Sequence, residues 1–113
     1  LLGTSFLNSN LKDIKFNNSN CKYINLFSSS LTNIEIIDSN FSNSVFTETK
    51  IKNIELNNST FNETEFIKTN LKDIDFSTCN IERIIFDIDS LKGIKINVLQ
   101  ASDIVRLFGV QIK

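Results

Sequence analysis

Every fifth residue of this chain is apolar over its first 96 positions. The column runs from Leu1 through all twenty stops to Ile96, and it contains eight of the ten phenylalanines. Because 41% of the residues are hydrophobic, twenty successive hits would arise by chance about twice in a hundred million trials. This period constrains the fold more strongly than any other feature of the sequence.

A second column lies two residues before each stop, from Thr4 to Ile94. Its nineteen members are seven Ile, six Ser, four Thr, one Cys and one Asp. Of the 22 charged residues between positions 1 and 96, 21 fall in the other three columns, and Asp89 is the exception. Because burying an unpaired charge is unfavourable, the pattern predicts two inward and three outward positions in every five residues.

A period of five fits neither regular secondary structure. An α-helix needs apolar spacings of three and four, and a flat strand needs a period of two. A chain that turns a corner every five residues fits, because four corners close a square coil of twenty residues. Successive coils would then stack about 4.8 Å apart, the spacing of paired strands. The 16 Asn and 13 Ser residues supply turn-forming side chains for the corners.

The repeated motif has a family likeness. Ser-Asn-Leu-Lys-Asp at positions 9–13, with echoes at 69–73 and 79–83, resembles the pentapeptide-repeat proteins. The resemblance covers residues 4–96 and implies a right-handed quadrilateral β-helix with Leu or Phe at the centre of each side. We therefore expect an all-β solenoid of nearly five coils over residues 1–96, followed by a C-terminal capping α-helix in residues 97–113.

The C-terminal segment has helical rather than fivefold periodicity. Asn97 is suited to be the N-cap of a helix, and Gly109 lies where a left-handed C-cap glycine belongs. Residues 110–112 are expected to return as a short strand. Such a tail would cover the open end of the solenoid, and in some family members the C-terminal helix also forms a dimer contact. The residues expected to form the cap or dimer helix are Ala101, Ile104, Val105, Leu107 and Phe108.

The N-terminal end has no comparable cap in the sequence. Leu1 already lies on the central column, so the repeat is under way at the first residue. We expect either that the native chain extends further on this side or that this end meets a partner.

One side of the predicted coil carries apolar residues at outward positions. This side is centred on Phe6, Leu26, Phe46, Phe66 and Phe86. We predict an interaction surface, called here the apolar stripe, formed by Leu7, Phe27, Val45, Ile67, Ile85 and Ile88. The alternative is that the tail covers the last two of these residues and that the others are incidental.

Two other sides are charged. The side centred on Leu11, Leu31, Ile51, Leu71 and Leu91, called here the lysine wall, carries Lys12, Lys50, Lys52, Lys72 and Lys92. The next side, called here the acidic wall, carries Glu35, Asp38, Glu55 and Asp75. Solvated faces are the first expectation for both. Binding of an anion or nucleic acid along the lysine wall is the alternative.

Three inward residues stand apart chemically. Asp89 is expected either to cap free backbone N–H groups at a bulged corner or to serve as a binding carboxylate. Cys21 and Cys79 lie nearly three coils apart, about 14 Å by the strand spacing, which is too far for a disulfide. We expect two buried free thiols and a cytoplasmic location.

The sequence favours binding over catalysis. It has no histidine, its three glycines form no phosphate loop, and the net charge of −1 argues against a nucleic-acid partner. We expect no cofactor, no metal and no membrane contact, and a non-enzymatic scaffold that binds a protein or itself. The family suggests an alternative, a DNA-mimicking protein that binds DNA gyrase or topoisomerase IV and confers quinolone resistance.

Overall fold

The backbone of this protein returns to the same wall of a solenoid every twenty residues. The structure is a computed structural model that describes residues 2–112. All of the strand pairs are parallel and join residue i to residue i+20. The elements in chain order are β1 (Asn10–Asn17), β2 (Ser30–Ile37), β3 (Lys50–Asn57), β4 (Glu65–Phe66), β5 (Ile85–Phe86), α1 (Ile88–Leu91) and α2 (Val98–Leu107).

The corners are made by residues in the left-handed backbone conformation. From Gly3 to Gly93, every fifth residue has a φ between 48° and 79°, with Thr78 and Ile88 as the exceptions. Nine of the fifteen non-glycine residues at these corners are Asn or Asp, the side chains that tolerate this region best. Six of the sixteen asparagines of the sequence lie at these corners, so the corners account for part of its asparagine content.

Backbone hydrogen bonds join each coil to its neighbours. The N–H of Phe41 donates to the carbonyl of Thr60 at 2.7 Å, and the N–H of Val45 donates to the carbonyl of Ile24 at 3.0 Å. Hydroxyls of the second column add a further bond, since Thr64 Oγ1 donates to the carbonyl of Phe41 at 2.9 Å. The serines and threonines of that column thus stabilise the stack while filling little space.

The core is a column of stacked side chains. All nineteen described residues of the central column, from Phe6 to Ile96, are buried or half-buried. Phe41 stacks on Phe61 with ring centroids 5.5 Å apart, and Phe46 stacks on Phe66 at 5.2 Å. The inward-facing central column predicted from the sequence is therefore confirmed, and the chain is the predicted β-solenoid. About four regular coils lie between residues 2 and 86.

The second column slips by one residue near its end, so the inward placement predicted for Asp89 is wrong. Its side chain is 85% exposed and forms an ion pair with Lys92 at 3.1 Å. The buried position belongs to Ser90, whose Oγ accepts a hydrogen bond from the Thr69 N–H at 3.0 Å. Helix α1 accommodates the extra residue in a single turn.

The backbone capping expected of Asp89 is done by Asp87. Its carboxylate accepts hydrogen bonds from Ser90 Oγ at 2.6 Å and from the Lys68 N–H at 2.9 Å. These bonds hold the pKa of Asp87 below its usual value, the Ser90 hydroxyl having the larger effect. The irregular corner is therefore tied to the preceding coil by a carboxylate at its start.

Neither end carries an additional strand within the described residues. Residues 2–8 contain turns and one bridge between Ser5 and Asn25, while Leu1 lies outside the described range. At the other end, the short strand expected over residues 110–112 is not formed, and these residues are exposed. Lys113 also lies outside the described range.

The stacked phenylalanines make a first prediction about stability. Phe61 is 1% exposed, and its ring contacts those of Phe41, Phe46, Phe66 and Phe76. Phe61→Ala should lower the free energy of unfolding by about 3–5 kcal/mol because it leaves a cavity among these rings. Urea unfolding followed by circular dichroism measures this change. Phe27→Ala is the matched control, since Phe27 is 39% exposed; an equal loss in both variants would contradict the stacked core.

Candidate functional site

The C-terminal tail begins and ends as the sequence predicts. Asn97 Oδ1 accepts a hydrogen bond from the Gln100 N–H at 2.9 Å, and Gln100 Oε1 accepts one from the Asn97 N–H at 2.9 Å. Gly109 has a φ of +78° and donates its N–H to the carbonyl of Arg106 at 2.9 Å. Both predicted caps of helix α2 are therefore confirmed.

Gln100 closes the end of the solenoid. Its Nε2 donates to the carbonyls of Phe76 at 2.7 Å and Cys79 at 2.6 Å. One coil earlier, the carbonyl of Ser59 receives the backbone N–H of Asn80, twenty-one residues later. The carbonyls of the core phenylalanines similarly receive a hydroxyl from the next coil. The amide of Gln100 thus replaces both bonds that a further coil would have made.

Helix α2 packs on the solenoid through a narrow face. Gln100 is buried, Ile104 packs against the core, and the ring of Phe108 contacts that of Phe86 with centroids 5.6 Å apart. Ala101 is half-buried, as the predicted cap requires. Val105, however, is exposed. Of the predicted cap residues, only some therefore face the solenoid, and the remainder face outward.

A large apolar surface remains exposed on the tail. It is called here the tail patch and consists of Val98, Leu99, Val105, Leu107, Phe108, Val110 and Ile112. These are seven of the thirteen exposed large apolar residues among those that the structure describes, and they lie within fifteen residues of chain. Val98 and Leu99 are 82% and 79% exposed. Such a concentration of exposed apolar side chains is typical of a protein interface.

Four residues of the predicted apolar stripe are exposed, Val45 and Ile67 are half-buried, and the stripe is divided in two. Thr47 Oγ1 donates to the carboxylate of Glu65 across the middle of this side. Glu65 lies between Val45 and Ile85 in one column, because it bridges to both. Thr47 lies between the stripe positions of the second and fourth coils. The structure therefore groups Leu7, Phe27 and Val45 on one side of the polar pair, and Ile67, Ile85 and Ile88 on the other.

The tail does not cover the part of the stripe that contains Ile85 and Ile88. Ile85 and Ile88 are 50% and 57% exposed, so the alternative that explained them by the tail is wrong. Phe86, between them, faces inward and meets Phe108. The part of the stripe formed by Ile67, Ile85 and Ile88 thus adjoins the end of the solenoid on which the tail lies.

The lysine wall is also fully exposed. Lys12, Thr32 and Lys52 are register partners on β1, β2 and β3. Lys92 is paired with Asp89, but within residues 2–112 the other four lysines of the wall form no ion pair. On the acidic wall, Glu35 pairs with Lys15 at 3.7 Å.

Polar ladders run along the corners. Asn33 donates to Asp13 at 3.0 Å, and Asn53 donates to Asn33 at 2.8 Å. At another corner, Glu63 accepts from Asn43 at 3.0 Å and from Arg83 at 2.9 Å, and these bonds lower the pKa of Glu63. Within residues 2–112, four of the five lysines of the lysine wall have no comparable ion-pair partner.

The two cysteines behave as structural residues. Cys21 and Cys79 are free thiols, both buried, as the sequence predicts. Burial raises the pKa of each thiol, which keeps it protonated and weakly nucleophilic. In the described part of the chain, no three His, Cys, Asp or Glu residues are close enough to share a metal ion.

The sequence profile of the Pentapeptide repeats family matches residues 37–82 with eight copies. The twenty-residue coils continue the same geometry on both sides of that segment. Residues 37–82 are therefore pentapeptide repeats. No curated protein has a matching sequence.

Two solved structures resemble this protein. HetL, a pentapeptide repeat protein involved in heterocyst differentiation regulation from the cyanobacterium Nostoc, is 18% identical with a TM-score of 0.49. The match covers 70% of this chain and 40% of HetL. A trypsin-treated variant of QnrB1, a plasmid-mediated fluoroquinolone resistance protein, is 13% identical with a TM-score of 0.42, over 98% of this chain and 91% of that one. Both TM-scores are below 0.5, so the identification of the repeats rests on the family profile over residues 37–82 and on the twenty-residue coils.

Within residues 2–112, this protein has no helix with the length and apolar character needed to cross a bilayer. Its outward features are the tail patch, the two parts of the apolar stripe and the lysine wall. They differ in chemistry, since the first two are apolar and the third is cationic. Binding at each can be tested separately.

The role of Gln100 in closing the solenoid can be tested by substitution. In Gln100→Ala the Phe76 carbonyl still accepts the Cys79 N–H at 2.9 Å, but the buried Cys79 carbonyl loses its side-chain donor. We therefore expect the free energy of unfolding to fall by about 1–3 kcal/mol. Gln100→Glu should be no better than alanine, because a carboxylate cannot donate to either carbonyl. Chemical denaturation measures both, with Gln111→Ala as the exposed control. If Gln100→Ala were as stable as that control, Gln100 would have no closing role.

Proposed function

We propose that this protein is a non-enzymatic scaffold that associates with a second copy of itself through the tail patch. The observation that carries the proposal is the exposure of seven large apolar residues within residues 98–112. In a monomer this apolar surface would remain in water. Burying it would stabilise the protein by roughly 25 cal/mol for each square ångström of apolar surface. Contact with a partner removes that surface from water.

The chemistry of the tail supports a second copy as the partner. Asp103 and Arg106 pair with each other at 3.3 Å, so the charges of the helix are neutralised locally. Val98 and Val105 are seven residues apart and lie on one flank of the helix. A flank of this kind on each of two chains is self-complementary, as a twofold interface requires.

The proposal is tested by sedimentation velocity at about 50 μM protein, a concentration at which a micromolar dimer is populated. The parent protein should sediment as a dimer. Val98→Glu combined with Val105→Glu should sediment as a monomer, because the interface would then bury carboxylates.

Phe27→Glu combined with Ile67→Glu is the matched control, with the same charge change on the apolar stripe. It should remain a dimer, and circular dichroism should show that both variants are folded. A monomeric parent would refute self-association. Dissociation of the stripe variant alone would move the interface from the tail to the stripe.

The cytoplasmic location is a further part of this proposal. Two buried free thiols support a reducing compartment, since cysteines paired in disulfides are the usual arrangement outside it. The high pKa of each thiol means that neither is poised for redox chemistry. We regard both cysteines as core-filling residues of the scaffold.

The family alternative, a DNA-mimicking ligand of DNA gyrase or topoisomerase IV, draws its support from the acidic wall. Glu35 and Glu55 are register partners, and Asp75 follows on the next coil. The exposed lysines on the adjacent wall oppose it, because a duplex mimic needs negative charge around the rod. We therefore expect no inhibition of gyrase supercoiling and no protection from quinolone at about 10 μM protein. Inhibition at that concentration would favour the alternative over the scaffold.

A further inference from the structure

The lysine wall is a second surface whose chemistry differs from that of the tail patch. Lys12, Thr32 and Lys52 are register partners on the paired strands, and Lys72 and Lys92 follow at twenty-residue intervals. Four of the five positions in this column are therefore lysines. Like charges that share one wall repel one another, so the arrangement is unfavourable in the free protein.

Two other columns contain an ion pair between successive coils. Lys15 pairs with Glu35, and Arg83 pairs with Glu63. Lys12, Lys52 and Lys72, by contrast, have no ion-pair partner within residues 2–112. A negatively charged ligand that ran along the wall would supply the missing counter-charges.

A groove lies beside this column. It has a volume of 530 Å³ and is lined by Ser28, Glu48, Thr49, Lys50, Ile51, Lys68 and Asn70. Lys50 precedes Lys52 by two residues on β3, so the groove adjoins the wall. Two ammonium groups and several hydroxyl and amide donors face the groove, against a single carboxylate. Its chemistry suits an anionic group that also accepts hydrogen bonds.

We propose that the lysine wall and this groove bind an extended, carboxylate-rich segment of a partner protein. Charge complementarity carries the choice of an acidic ligand. The choice of carboxylates over nucleic acid rests on what the wall lacks: its outward positions hold no arginine and no aromatic residue. Bidentate phosphate contacts and base stacking, the usual means of gripping nucleic acid, are therefore missing.

The width of the wall supports the same choice. Asp13 and Asp73 lie at the corner that separates the wall from the acidic wall, whereas the opposite corner carries Glu48 and Lys68 on successive coils. Carboxylates therefore border the positive strip on the side of the acidic wall. A single extended chain fits such a strip, whereas a duplex would bring its second strand against the acidic wall.

The experiment measures fluorescence anisotropy of a labelled poly-L-glutamate of about 20 residues in 50 mM salt. The parent protein should bind, and binding should weaken by at least about tenfold between 50 and 300 mM salt, since exposed charges are screened. Lys52→Gln combined with Lys72→Gln should weaken binding by about tenfold or more. Lys15→Gln combined with Lys95→Gln is the matched control, because it removes the same charge from the acidic wall; it should change binding by less than about twofold.

Three results would overturn the inference. The first is the absence of poly-L-glutamate binding at 50 mM salt, and the second is equal weakening in the two lysine variants. The third is binding of an oligothymidylate of equal charge about tenfold more tightly than poly-L-glutamate, which would indicate a nucleic-acid surface. The monomeric tail variant, Val98→Glu with Val105→Glu, should still bind poly-L-glutamate with the same affinity per chain. A loss of poly-L-glutamate binding can therefore be distinguished from a loss of the proposed self-association.

Discussion

Hydrogen bonding between successive coils is the interaction on which the rest of this structure depends. Each coil presents its N–H and carbonyl groups to the coils before and after it, so no coil is satisfied alone. The left-handed corner at every fifth residue makes this possible because it turns the chain before the next wall begins. The same requirement explains the end of the solenoid, where the amide of Gln100 supplies donors that a further coil would otherwise provide.

Stacking at a fixed register has opposite consequences inside and outside the rod. Inside, it places Phe on Phe and Ile on Ile, which favours dispersion contacts and a dry core. Outside, it places like charges near one another, as with Glu35 beside Glu55 on the acidic wall and the lysines of the lysine wall, and repulsion results. The interior columns are therefore explained by stability alone, whereas the charged walls are not.

The sequence was sufficient for the fold because the period specifies both the corner and the wall of each residue. The sequence was also sufficient to predict Asn97 and Gly109 as the caps of helix α2, because capping depends on residues that are close in sequence. It failed at Asp89, because a strict period cannot anticipate that a helical turn absorbs one residue and moves Ser90 into the core. The division of the apolar stripe was likewise hidden, since it depends on the side-chain hydrogen bond between Thr47 and Glu65. Gln100 could have been found, since a glutamine three residues after an N-cap asparagine is the signal of a capping box.

The two proposed surfaces are arranged so that neither obstructs the other. The tail patch lies at the end of the rod, whereas the lysine wall runs along its length. A dimer joined through the tails would present two lysine walls to a single acidic chain. Binding to the second wall would then be intramolecular, with an effective concentration set by the separation of the two walls. Modest affinity at each wall would consequently become appreciable avidity, without any change in the contacts that each coil makes.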